Sequence, residues 1–161
     1  MDLLFARAKT FHTAALLVVF AFVAACTQPQ TRSREAVADA LMQADRAYEA
    51  YNLEHGFNAA TAKYMDFDQG FLIEPGQGLV RGREAILAER DLNEIPSPVR
   101  WTPQGAMGAQ SDDLGLTWGE FAVDGGARGA YLTVWHRDGD GEWKIVTDVA
   151  VDDPAMAEGE P

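Results

Sequence analysis

Apolar positions along this chain fall into two regimes. From Glu35 onward, Val37, Leu41, Ala44, Tyr48 and Tyr51 recur at steps of four, three, four and three, which is one face of an α-helix. Ser33 stands where a helix N-cap belongs, Glu35 suits the first turn, and Gly56 supplies a stop. A second, shorter helix is expected over 58–65 and a third over 83–92, with a short strand over 71–74 between them. That strand runs into Glu74-Pro75-Gly76-Gln77, where proline followed by glycine fits the centre of a type II turn. Beyond residue 98 the period shortens. Segments 99–102, 106–110, 114–123, 129–136 and 143–151 read as strands separated by Pro, Gly and Asp clusters. Helices first and antiparallel strands afterwards make an α+β domain, three helices covering a strongly curved antiparallel sheet of four to six strands.

The last two strands raise a question about their faces. Tyr131, Thr133 and Trp135 alternate with Leu132 and Val134, and Trp143, Ile145 and Val149 alternate with Val146 and Asp148. A half-buried strand alternates apolar with polar, so a hairpin apolar on both faces needs a cover on both. If 138–141 is a four-residue loop, Arg137 faces Glu142 and Tyr131 faces Asp148; a three-residue loop pairs Tyr131 with Thr147 instead. The opposite charges beside the turn favour the first count. On either count, an acid this deep in an apolar strand needs a hydrogen-bond partner.

With 161 residues, 47% of them apolar and 10% aromatic, the chain has material for one packed domain. Residues 1–25 stand apart: Arg7 and Lys9 precede an uncharged run, 13–25, of signal-peptide length, shorter than the ~20 apolar residues that span a bilayer. The run ends in Val23-Ala24-Ala25-Cys26, which resembles a bacterial lipobox and implies that Cys26 is lipidated and becomes the first mature residue. A polar tether, 26–34, leads to the domain, 35–151, and an acidic tail, 152–161, follows it. Loss of Arg7, Lys9 and Asp2 with the signal moves the net charge from −12 to about −13. Such acidity argues against nucleic acid as a partner and against electrostatic adhesion to anionic lipid. Acyl chains on Cys26 would then hold the protein in the bacterial cell envelope, facing the periplasm or the exterior. Cys26 is the only cysteine, so no intramolecular disulfide forms.

Other motifs fail on inspection. Asp138 and Asp140 hint at a calcium loop, yet Trp143 and Val149 occupy the places of its glycine and final glutamate. His55 and His136, the only histidines past the signal, have no metal-ligand spacing, and neither a phosphate-binding loop nor a nucleophile elbow is present. No metal or cofactor is expected.

Several segments together resemble the SnoaL-like, DUF4440 branch of the NTF2-like superfamily, which includes ketosteroid isomerase. They are residues 44–48, 71–75 with 80–86, 113–119, and 131–135 with 141–148, spanning roughly 35 to 150. The resemblance implies a cone: a bent sheet curled around a pocket, its mouth partly closed by helices, and a homodimer through the outer sheet face. By the same resemblance Glu74, before Pro75, takes the place of the isomerase's proton-shuttling carboxylate, Tyr48 falls near its oxyanion-binding tyrosine, and Thr133 near its protonated aspartic acid. Thr133 is the poorer donor, which sets this chain apart from steroid isomerisation. Trp118 is expected nearest the cavity among Trp101, Trp118, Trp135 and Trp143. The candidate catalytic residues are therefore Glu74 and Tyr48, and the candidate ligand contacts Tyr48, Glu74, Trp118, Tyr131, Thr133 and Asp148. A lipid-anchored binder of a small, partly apolar molecule is the leading expectation. An isomerase- or lyase-type acid–base enzyme and an interaction module with a filled cone are the alternatives.

Overall fold

The computed structural model describes residues 32–157, except 75, 89, 94, 138 and 139. The signal segment, Cys26, most of the tether, Pro75 of the expected turn, Asp138 and Gly139 of the hairpin loop, and 158–161 of the tail lie outside the described residues. The elements run α1 (Arg34–His55), α2 (Phe57–Tyr64), β1 (Phe71–Glu74), β2 (Gly78–Arg81), α3 (Arg83–Leu87), β3 (Val99–Gly108), β4 (Leu114–Val123), β5 (Arg128–Arg137), β6 (Trp143–Asp152) and α4 (Pro154–Ala157). The architecture is α+β, helices packed on a four-stranded antiparallel sheet of order β3-β4-β5-β6, with β1 and β2 forming a separate hairpin.

Helix α1 is capped as its sequence suggests: the Ser33 side chain accepts from the Ala36 N–H, and Gly56 ends the helix at a φ of 91°. Its buried stripe is Val37, Leu41, Asp45, Tyr48 and Asn52. Two polar residues thus share the core face, and Ala44 and Tyr51 sit at its flanks. Asn52 is satisfied there, donating to the Val99 carbonyl at 2.8 Å and accepting from the Ser97 hydroxyl at 2.5 Å. The helix lies close against the sheet where Gly108 of β3 faces Gly115 of β4. A Cβ on Gly108 would come within 2.4 Å of Val37, and one on Gly115 within 2.3 Å of Leu41.

Several expectations are revised. The segments 99–102 and 106–110 are one strand, β3, whose register shifts between Pro103 and Gly105 at a bulge that leaves Gln104 unpaired. Strand β2, overlooked in the sequence pattern, pairs Glu74 with Gly78 and Phe71 with Arg81. Helix α3 stops at Leu87, short of the expected residue 92, and the start of the expected tail is strand and then a helical turn, α4.

The terminal hairpin follows neither expected count. Arg137 faces Trp143, not Glu142, so the loop is 138–142. The register then slips again between Val134 and Trp135, where β6 carries Val146 as an extra residue. As a result Tyr131 faces Ala150, and Asp148 faces Thr133. The second slip explains why apolar residues occupy both parities of β6. Ile145 faces Trp135 on the inner surface; without the bulge Thr147 and Val149 would follow it inward, but the extra residue turns Asp148 and Ala150 inward instead.

Candidate functional site

Between α1, α2 and the concave face of the sheet lies a cavity of about 200 Å³. The helices contribute Tyr48 and Phe57, β3 contributes Val99 and Trp101, β4 Phe121 and Val123, β5 Tyr131 and Thr133, and β6 Asp148 and Ala150. Apolar and aromatic side chains dominate this wall. Tyr48 and Trp101 lie 4.6 Å apart between ring centroids, and Phe57 meets Trp101 edge-on at 6.1 Å.

Four of the residues expected at a site therefore meet here: Tyr48, Tyr131, Thr133 and Asp148. Asp148 and Tyr131 share the cavity without pairing. Thr133, across the strand from Asp148, donates its hydroxyl to Asp148 Oδ1 at 2.9 Å, while Tyr131 donates to Asp45 Oδ2 at 2.9 Å. Burial pushes the Asp148 carboxyl up to about 6, with the Asp45 charge adding to the rise and the Thr133 hydrogen bond opposing it.

Asp45 is the residue that sequence reasoning missed. It is wholly buried behind the cavity wall and accepts from Trp101 Nε1 at 2.7 Å as well as from Tyr131. Thr117, which accepts from Trp135 Nε1 at 2.9 Å, adds a third hydrogen bond to Asp45. Burial raises the pKa of Asp45, and these three donors oppose the rise. A signal existed: Asp45 is four residues after Leu41 and three before Tyr48, so it continues the helix stripe inward.

Glu74 and Trp118 do not reach the cavity. Glu74 accepts from Arg90 Nη2 at 2.6 Å in a separate groove between the β1–β2 hairpin and α3, and Arg90 is further tied to the Ile86 carbonyl and to Asn58. Trp118 lies on the outer sheet face, because Thr117, Gly119 and Phe121 are the inward residues of β4. Its ring lies over Gly105, where a Cβ would come within 2.3 Å. The tryptophan that lines the cavity is Trp101.

Tyr48 is also less available than its place suggests. The Thr61 hydroxyl donates to the Phe57 carbonyl at 3.0 Å, so at 3.4 Å from Thr61 Oγ1 the Tyr48 hydroxyl is left as the donor of that pair. Burial raises its pKa above the ordinary tyrosine value, with the Asp148 charge reinforcing the shift.

A larger, open groove of about 740 Å³ lies beside Asp66, Arg83, His136, Arg137 and Lys144. Its charges are mostly satisfied by neighbours: His136 pairs with Asp66, Lys144 with Glu142 at 3.1 Å and Arg137 with Asp112 at 3.4 Å. Among the described residues, no group of three or more His, Cys, Asp and Glu is placed to hold a metal ion. The apolar cavity with its inward acid is the better candidate site.

No protein-family model matches the chain, and no curated protein does. Solved structures do. A DUF3225-family protein of unknown function from Pectobacterium atrosepticum superposes with a TM-score of 0.55 at 18% identity, covering 78% of this chain and 98% of its own. An NTF2-like superfamily protein from Salmonella enterica serovar Typhimurium gives 0.54 at 13% identity over 79% and 98%. A putative ketosteroid isomerase from Parabacteroides distasonis gives 0.53 at 14% over 70% and 87%. The fold is NTF2-like. In this fold the cavity occupies the hollow between the sheet's concave face and the first two helices.

Proposed function

We propose that this protein binds a small, largely apolar molecule in the cavity between α1, α2 and the sheet, and that it does so tethered to a bacterial envelope membrane through acyl chains on Cys26. The observation that carries the binding reading is Asp148, a partly exposed acid turned into an aromatic-walled cavity by the Val146 bulge. An inward acid is costly for a purely structural core, and a site that orients a ligand by one polar group is what such an arrangement suits. The anchor rests on the sequence at 23–26 and on the polar tether; no helix among the described residues is long and apolar enough to cross a membrane.

Binding is favoured over isomerase or lyase chemistry of the ketosteroid isomerase kind. Asp148, with its raised pKa, has the character of a general base. Yet Glu74 is held by Arg90 outside the cavity, and the Tyr48 hydroxyl is directed at Thr61, so the wall lacks the donor that an enolate needs. Native mass spectrometry of the detergent-solubilised full chain is expected to show a bound small molecule that is released on denaturation. Ala150→Phe, which fills the cavity from β6, is expected to abolish it. Occupancy unchanged in the folded Ala150→Phe variant overturns the reading.

A further inference from the structure

The hydroxyl and indole donors around the cavity have acceptors inside the protein. Trp101 Nε1 and the Tyr131 hydroxyl both donate to Asp45, at 2.7 and 2.9 Å. The Thr133 hydroxyl donates to Asp148 at 2.9 Å, and the Tyr48 hydroxyl faces Thr61. Phe57, Val99, Phe121, Val123 and Ala150 have no polar side-chain atoms to offer. What remains on the wall for a ligand is an acceptor, the Asp148 carboxylate.

The charge balance points the same way. No Lys, Arg or His lines the cavity among the described residues. Asp45 lies just behind Trp101 and Tyr131, and Glu49 accepts from the Trp101 backbone N–H at 3.4 Å. The cavity is therefore an acceptor-only, negatively polarised space walled by the faces and edges of Tyr48, Phe57, Trp101, Phe121 and Tyr131. Aromatic faces carry negative potential and attract cations, more strongly where water is excluded.

From this geometry we infer that the ligand is a small organic amine, bound as its cation, with the ammonium against Asp148 and an apolar body of about one ring among the aromatic side chains. The size follows from the volume: about 200 Å³ exceeds the ~150 Å³ that accommodates benzene in an apolar protein cavity. An anion or an enolate-like intermediate is disfavoured on the same grounds, because it would meet a carboxylate and no free donor. The inference rests on the cavity being a binding site, and its test separates the two.

Three probes of one shape and different charge decide it: benzylamine, benzyl alcohol and benzoate, titrated calorimetrically into the detergent-solubilised full chain at pH 7.5. Benzylamine is expected to bind about tenfold or more tighter than benzyl alcohol, the difference between a charge-assisted and a neutral hydrogen bond, and benzoate not at all. In Asp148→Asn the preference for the amine over the alcohol is expected to vanish while the alcohol still binds. If alcohol or benzoate binds as tightly as the amine, the cavity is a site but not for amines, and this inference falls alone. If none of the three binds, the cavity reading falls with it. Because the wild-type selectivity is itself decisive, the test does not depend on the variant folding.

Discussion

Asp148 enters the cavity with its charge opposed by burial, and that opposition has a pH signature. Its carboxyl is pushed up to about 6 in the folded chain, against about 4 for an aspartate in an unfolded one. Between those values the folded state holds the proton more firmly, so its stabilising contribution is fully present below about pH 4 and is lost as pH rises through about 6. The difference corresponds to up to about 3 kcal/mol, less whatever solvent reaching Asp148 through the cavity screens. Asp148→Asn removes the titration while leaving an acceptor for Thr133. The variant is expected to match the parent in denaturant melts near pH 4 and to exceed it in stability near pH 8. Equal stability at both pH values would show that Asp148 is hydrated in the folded chain and not buried at all. A stabilising loss of this kind is what a residue kept for binding gives. Its partner could not be read from spacing. The pairing of Asp148 with Thr133 depends on a loop and a bulge, and the sequence count ended at Tyr131 because it took the ladder as regular.

At the scale of elements, legibility followed period. Helix α1, with its Ser33 cap and Gly56 stop, and strands β4, β5 and β6 are written in repeats that extend over many residues, so their positions emerge from the sequence. What failed was where one residue breaks the repeat. Gln104 joined two apparent strands into one, and Val146 reversed the phase of β6. Trp118, expected nearest the cavity, lies instead on the outer face, because the small residues Gly115, Thr117 and Gly119 take the inner one. The helical repeat alone does not mark Asp45 as buried, because the donors that make its burial tolerable come from β3 and β5, far along the chain. Those same small residues are a structural device. Gly115 lets α1 approach the sheet, and its added Cβ would meet Leu41 at 2.3 Å and the Met107 carbonyl at 2.7 Å. Since a carbonyl in the ladder cannot yield as a side-chain tip can, Gly115→Ala is expected to lower unfolding stability by about 1–3 kcal/mol. A melt indistinguishable from the parent's would mean that α1 is free to ride up from the sheet.

At the scale of the whole molecule two features bear on its surroundings, the proposed anchor at Cys26 and the outer sheet face. Ser33 and Arg32 already belong to the domain, the first capping α1 and the second paired with Asp112 at 3.3 Å, so the proposed tether ends before residue 32 and not at residue 34. If acylated Cys26 is the only anchor, Cys26→Ser is expected to move the protein from the membrane to the soluble fraction of the envelope. Retention of an uncleaved chain in the membrane would assign the anchor to the signal segment instead. The outer face is the second feature. Trp118 and Leu132, register partners on β4 and β5, are each 39% exposed, Met107 on β3 is 63% exposed, and Val151 on β6 is 65% exposed. Bulky apolar side chains from all four strands of one sheet exceed the scattered exposure that is ordinary on a monomer. A second copy of the chain would cover them isologously, which we propose as the solution state. Because the proposed interface is apolar and Leu132 lies on an inner strand of the sheet, Leu132→Arg would bury an unpaired charge twice in each dimer, once per copy. Light scattering on residues 32–161 at tens of micromolar is expected to give twice the chain mass for the parent and the single chain mass for Leu132→Arg, with unchanged secondary structure. A monomeric parent would sink the proposal and leave this face to a different partner. A dimeric variant would locate the contact elsewhere, for instance on the exposed Ile73 and Leu79 of the β1–β2 hairpin.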